Sequence, residues 1–404
     1  MNSQSKKTLK VCVLGNFSGR NAGDNAILGN LVRDVSALYP NVHFLVPTIN
    51  PKFVEQSFGD RVSIQGVSLM PWALSVKIFG LPVFRAVLGS DLVLVTDNIL
   101  FDMKLFNPLF NYLSTLSLVL PMAKKRGIPV VLYNMSLGPV STPAGTWCMK
   151  RVINSVERII LRDQQSKDLL DRLNVSLPPV DFGADSALNT EFCSAERLQE
   201  IVAAKGLFTN PNGTIGFNVN VYLDQYLKHG ARSDTKPFIQ MISGAIDQVI
   251  DELDVDILFF VTQVMDIRVT NAIIDNIKNK QRIKTITNKE YSFEELTAVM
   301  SKLLLMVAMR THALILASSA GTPVAGIISY PKTTGYLKTI GQGQWIINFE
   351  DLETDRLFDL VASVYHNRDE IKKTLLPAVE REKQKAAASA LTLQPWLGQL
   401  QKVS

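Results

Sequence analysis

The chain alternates short, unbroken apolar runs with longer stretches in which apolar residues return every three or four positions. Runs of strand length fall at 9–15, 42–47, 91–96, 128–134, 158–161, 214–220, 255–262, 303–309 and 323–329. Between most of them lie helical patterns such as NAILGNLVRDVSALY and KPFIQMISGAIDQVIDEL. A strand apolar throughout needs cover on both faces, and parallel neighbours need a crossover helix. The alternation therefore predicts α/β architecture with mainly parallel sheets. It lapses over 186–213 into a polar helix and the turn-rich TNPNGT, then resumes at Thr214. A domain boundary is expected in that stretch. After residue 350 the chain becomes helical and charged, with REKQKAAASA among its last stretches. The expected organisation is an N-terminal α/β domain over 1–205, a second over 206–349, and C-terminal helices over 350–404. Ligands of such sheets bind beyond the carboxyl ends of the strands, so two doubly wound, Rossmann-like halves are expected to face one cleft.

Length agrees with this division, because 404 residues exceed what one core usually organises. Apolar residues make up 47% and charged residues 20%, the balance of a globular protein rather than a disordered one. Forty-two Lys and Arg against 37 Asp and Glu leave +5, spread along the chain. No nucleic-acid partner is expected from so diluted a charge, while a basic pocket for an anionic substrate stays open. Cys12, Cys148 and Cys193 are far apart and form no CxxC pair. They suggest neither a disulfide framework nor a zinc cluster, and fit reduced cytosolic thiols. The apolar segment near the N-terminus is too short for a signal peptide and reads as a first strand. Residues 105–123 carry no charge and precede KKR, but their Asn, Ser, Thr and Pro residues favour a buried core helix over a spanning one. A cytoplasmic protein is expected, with peripheral contact at the inner membrane face kept as a minority reading.

Candidate chemistry gathers where apolar runs end. The first run leads into GNFSGRNAGDNAILGN, residues 15–30. Its glycines are four apart, so it is neither a GxGxxG fingerprint nor a Walker loop. It offers a flexible strand-to-helix turn with helix amides and short polar side chains, and Asn21 or Asp24 is also suited to capping the helix. The second cluster is MRTHALILASSAGTPVAGIISYPKTTGYLKTIG, residues 309–341. There an arginine fork at Arg310, the imidazole of His312 and free helix amides are expected to converge on an anion. Lys332 and Lys338 follow the next strand with more positive charge, although Lys338 also suits a solvated helix position. Two lesser signals are LYNMSLGPV at 132–140 and LRDQQSKDLL at 161–170. In the latter Arg162 stands where a strand end contacts ligands, and Asp163 or Ser166 serves equally well as a cap.

Taken in order, these residues resemble the polysaccharide pyruvyl transferase family. The resemblance rests on Asn21, Gly23, Asp24, Ala26 and Ile27, Gly138-Pro139, Arg162-Asp163 with Ser166, Asp185, Arg310-x-His312-Ala, Gly321-x-Pro323, and Tyr330 with Lys332. It runs from about residue 9 to 345. It implies a GT-B-like fold and transfer of the carbon skeleton of phosphoenolpyruvate to two hydroxyls of a sugar, with release of phosphate. The Arg-x-His motif is associated in that family with binding phosphoenolpyruvate. Two positions depart from the family pattern. Thr96-Asp97-Asn98 replaces a glycine-rich run on the acceptor side, and Thr311 replaces the usual leucine.

The reaction so implied sets the expected roles. Phosphoenolpyruvate carries a phosphate and a carboxylate, and its methylene carbon must be protonated. His312 is expected to be that acid or a hydrogen-bond donor to phosphate, with Arg310 as clamp and Lys332 assisting. Asp24 is the candidate base for the sugar hydroxyl. Asn21, Arg162 and Lys338 complete the expected substrate contacts. No metal and no cofactor is called for, phosphoenolpyruvate being a co-substrate. The acceptor is expected to be a sugar or a lipid-linked oligosaccharide. Replacing Arg310 is expected to leave the melting temperature near wild type. Two other readings stay open: a nucleotide-sugar glycosyltransferase on the same frame, and a non-catalytic sugar-binding member.

Overall fold

The computed structural model describes residues 8–69, 81–102, 112–220, 235–329 and 331–398. The chain divides into two compact units, Met1–Gly19 with Asp24–Ser186 and Glu382–Ser404, and Arg20–Gly23 with Ala187–Arg381. Packing thus groups four residues of the first loop with the second unit, and the end of the chain with the first.

Seven strands form the sheet of the first unit: β1 (Leu9–Leu14), β2 (Val42–Thr48), β3 (Ile64–Ser68), β4 (Leu92–Val95), β5 (Val130–Met135), β6 (Arg158–Leu161) and β7 (Val180–Phe182). Their order is β3-β2-β1-β4-β5-β6-β7, and every pairing is parallel. The second unit holds β8 (Thr214–Asn218), β9 (Asp256–Val261), β10 (Ile283–Thr287), β11 (Met306–Ala308), β12 (Val324–Ile328) and β13 (Ile346–Asn348). Their order is β10-β9-β8-β11-β12-β13, again parallel throughout. Both sheets are doubly wound, as expected. The strand order reverses between β1 and β4 in one and between β8 and β11 in the other, and such switch points are where ligands bind.

All nine strands predicted from apolar runs are present, and all nine are interior to a sheet. The four that the runs miss, β3, β7, β10 and β13, are the four sheet edges. The reason is burial. β4 and β5 are buried at every position, whereas β3 has no fully buried residue and β7 is half-buried to exposed. An edge strand has no neighbour on one side and carries polar residues that blunt further pairing, so it lacks an unbroken apolar run.

The described part of the uncharged run 105–123 lies in the helix Tyr112–Lys125. It buries Leu113, Leu116, Val119, Leu120 and Ala123 in the core of the first unit, as the core-helix reading expects. Among the described residues no helix is long and apolar enough to cross a membrane. The 38-residue helix Thr354–Leu391 runs from the second unit into the first. There Ala386 and Ala390 are buried, and the Ser389 hydroxyl donates to Asn134 Oδ1 at 2.6 Å.

Candidate functional site

In the second unit the switch point is framed by the ends of β8, β9 and β11. Asn218, the last residue of β8, donates to the Phe260 carbonyl at 2.8 Å and accepts from the Arg310 backbone N–H at 3.2 Å. It ties the three strand ends together. Arg310 immediately precedes the helix Thr311–Ser319. Its guanidinium grips Asp266 through two hydrogen bonds, one from Nε and one from Nη2 at 2.9 Å, and Nη2 also donates to Asn220 Oδ1 at 3.3 Å. Asp266 is wholly buried. The arginine fork is thereby held rigidly by a carboxylate that opposes its charge. Thr311 Oγ1 lies 2.6 Å from Thr333 Oγ1, which gives the departure from leucine a purpose: it joins this helix start to the helix Pro331–Thr339.

His312 is seated by residues from the far end of the sequence. Ala22 N–H donates to the Thr262 carbonyl at 2.8 Å, Val264 N–H donates to the Arg20 carbonyl at 3.1 Å, and Asn21 forms an antiparallel bridge with Gln263. Segment 20–23 is therefore anchored beside the turn after β9. A Cβ on Gly23 would fall 2.2 Å from His312 Cγ, so the imidazole rests directly against the glycine backbone. Asn21 Oδ1 accepts from the Gly23 N–H at 3.0 Å, the bond of a helix cap for Ala22–Leu38. Lys332, in the first turn of the helix Pro331–Thr339, is half-buried. Lys338 is exposed in its last turn, roughly 9 Å further along the axis at 1.5 Å per residue, in the solvated position its sequence allows. Tyr330 lies outside the described residues.

In the first unit the strand ends carry carboxylates around one arginine. Arg162, just past β6, is largely buried and pairs with Asp185. Burial by itself would lower the guanidinium's pKa, but Asp185, Asp97, Asp163 and Asp24 outweigh it and raise it. Asp163 caps the helix Gln164–Arg172, accepting from the Ser166 N–H and hydroxyl at 2.7 Å, and takes the Ser136 hydroxyl at 2.6 Å. Ser166 in turn accepts from Leu137 N–H at 2.7 Å. Asp24 is buried and accepts from Asn16 Nδ2 at 3.0 Å. Asp102 accepts from the backbone N–H groups of Ser141 and Thr142 and from both hydroxyls. Asp97 stands at the end of β4 with a left-handed backbone, φ 69°.

Sequence reasoning thus finds residues that the fold gathers into two groups, Arg310, His312, Asn21 and Lys332 in one unit and Arg162 and Asp24 in the other. It misses Asp266 and Asn218, which orient Arg310, and Asp102. Asp266 was open to suspicion as a lone carboxylate within the apolar VMDI. Among the described residues no group of three or more His, Cys, Asp or Glu side chains is arranged to hold a metal ion.

The profile of the polysaccharide pyruvyl transferase family matches residues 21–330, which hold every residue of both groups except Lys332. The chain belongs to that family. A curated relative is the amylovoran biosynthesis protein AmsJ of Erwinia amylovora, 22% identical over 408 residues, or 93% of this chain and 96% of AmsJ. Membership makes this pyruvyl transferase homologue a transferase of polysaccharide synthesis. Among solved structures it resembles Anabaena HepE in complex with UDP-glucose, with a TM-score of 0.61, 13% identity, and 98% and 100% of the two chains covered. It also resembles the UDP-GlcNAc 2-epimerase of Neisseria meningitidis bound to UDP-GlcNAc, with a TM-score of 0.65, 14% identity, and 96% and 99% covered. At such identities the likeness speaks for the fold, two parallel-sheet α/β units of the GT-B-like kind.

Proposed function

We propose that the protein transfers the carbon skeleton of phosphoenolpyruvate onto two hydroxyls of one sugar in a cell-surface or exopolysaccharide precursor, leaving a pyruvate ketal and inorganic phosphate. The observation that carries this reading is the family match over residues 21–330, with Arg310 and His312 standing at the switch point of the second sheet. The donor has a phosphate and a carboxylate, and the guanidinium of Arg310, oriented by Asp266, suits a charge-assisted hydrogen bond to either. Lys332 adds charge from the next helix.

His312 supplies a proton to the methylene carbon, which makes C2 electrophilic, and its fixed seat against Gly23 favours that step over a freely rotating ring. One sugar hydroxyl adds to C2 and a second displaces phosphate. Of the two hydroxyl protons one balances the new methyl group and the other leaves with phosphate. Asp24, held by Asn16, is the carboxylate that the sequence suggests as base. The acceptor is a sugar or lipid-linked oligosaccharide, handled in the cytoplasm with peripheral contact at the membrane face.

The test is phosphate release from phosphoenolpyruvate with a panel of glycosides, set against UDP release from UDP-sugars. Phosphate release dependent on both donor and glycoside, with a mass gain matching the ketal, is the expected result. UDP release without phosphate release would replace this reading by glycosyl transfer.

A further inference from the structure

We propose that the outward sides of the helices Tyr112–Lys125 and Pro143–Ile153 form a docking surface for an anionic lipid bilayer, which deepens the reading of peripheral membrane contact above. Both helices belong to the first unit. The first turns Leu113, Leu116, Val119, Leu120 and Ala123 into the core. The opposite side of such a helix is ordinarily polar. Here it carries Leu118 and Met122, one turn apart and 54% and 40% exposed. The second helix buries Gly145, Met149, Val152 and Ile153 and turns Trp147 outward at 55% exposure.

The two outward sides are joined. Arg151, one turn after Trp147, stacks its guanidinium 4.8 Å from the centre of the indole, and its Nε donates to the Ser117 carbonyl at 3.0 Å. One arginine thus steadies the indole and reaches the residue before Leu118. Lys124 Nζ donates to the Asn154 carbonyl at 2.8 Å and ties the C-terminal ends of the two helices together. Leu118, Met122 and Trp147 therefore stand on adjoining faces of a cross-linked pair, whereas apolar residues exposed singly would carry no meaning.

Charge selects what covers them. Lys124 and Lys125 end the first helix and Arg126 follows it, all exposed, while Lys150 and Arg151 are half-buried on the second. Neither helix contains an Asp or Glu. Asp102, at the start of the second, is buried and taken up by Ser141 and Thr142. A second copy of this face would set cation against cation, so self-association is disfavoured. A bilayer of anionic lipids matches both features. The indole and the aliphatic side chains enter the boundary between headgroups and acyl chains, and the cations meet lipid phosphates. A lipid-linked acceptor lies on that surface, and this face would hold the protein beside it.

The experiment measures partitioning of the full chain onto vesicles of phosphatidylcholine alone and of equimolar phosphatidylcholine and phosphatidylglycerol. Wild type should bind the anionic vesicles about tenfold or more tighter, and added salt should weaken that binding. Leu118→Ser with Trp147→Ser should lower partitioning by about tenfold or more, and so should Lys125→Gln with Lys150→Gln. Both pairs change only exposed or half-buried side chains and should melt within about 3 °C of wild type. Lipids brominated on their acyl chains should quench wild-type tryptophan fluorescence, and Trp147→Phe, which keeps an aromatic ring, should bind while losing most of the quenching. Unchanged quenching in Trp147→Phe, or binding retained in every variant, would leave peripheral contact standing but overturn this face. Binding that salt abolishes and the serine pair does not alter would make it a merely cationic surface, one suited to an acidic protein, and would overturn the bilayer assignment. So would a wild-type dimer that the serine pair dissolves, or a loss of binding matched by a loss of melting temperature. No binding by wild type would overturn both the face and peripheral contact. Phosphate release is read separately, so its absence strikes pyruvyl transfer and leaves the lipid result to decide the surface.

Discussion

At the residue scale, the pairing of Arg310 with Asp266 changes what substitution should do. Read as a ligand clamp alone, Arg310 is dispensable to the fold. Paired with a wholly buried carboxylate, it is not: Arg310→Ala leaves that charge uncompensated, a loss of about 3 to 5 kcal/mol where a buried pair is broken from one side. We expect a clear fall in melting temperature together with loss of donor binding. The double variant Arg310→Ala with Asp266→Asn should recover much of the stability and none of the activity. Equal melting of Arg310→Ala and wild type would show that the ion pair contributes little. Gly23 offers a second residue-scale test. Gly23→Ala drives a methyl group to within 2.2 Å of His312 Cγ, so the imidazole must leave its seat. Overpacking of this kind costs about 1 to 3 kcal/mol, and His312→Ala in the same chain should restore most of it, a coupling that thermal melts of the four proteins would measure. Residue identities were legible in the sequence here, since GNFSGRNAGDNAILGN and MRTHAL mark the loops. Their partnership was not, because no periodicity links Gly23 to His312.

At the element scale, the interior strands were legible and the edges were not, and burial explains both. A strand covered on two faces and flanked on two sides has only apolar positions to show. β13, with one buried residue among three, shows nothing of the kind. Loops between elements are held by single side chains whose role has no local signature. Asp102 is one: it gathers Ser141 and Thr142 at the start of the helix Pro143–Ile153, and a Cβ at Gly145 would strike its Oδ2 at 2.2 Å. Asp102→Ala should leave those part-buried donors without their carboxylate partner, costing about 1 kcal/mol or more. Circular dichroism melts would record that loss, and an unchanged melt would show that water replaces the carboxylate.

At the scale of the whole molecule, the first unit is completed by the end of the chain. Ala386, Ala390, Leu393 and Leu397 are buried there, and Ser389 reaches Asn134 across 255 positions of sequence. Truncation after Arg381 should therefore expose apolar surface of the first unit and unsettle Asn134, itself held at φ 46°. Limited proteolysis should then cut within residues 24–186 first, while 187–381 stays protected. Uniform resistance of the truncated protein would show that the terminal segment packs without stabilising.

The sequence by itself determined the α/β class, the nine interior strands, the parallel winding and the family. Each of these is written locally, in which positions are apolar and in the short polar turns that follow them. Only the tertiary structure decided that Asp266 holds Arg310, that Gly23 seats His312, and that Asp102 gathers Ser141 and Thr142. Whether a side chain is satisfied depends on groups tens or hundreds of positions away, and local pattern carries no record of them.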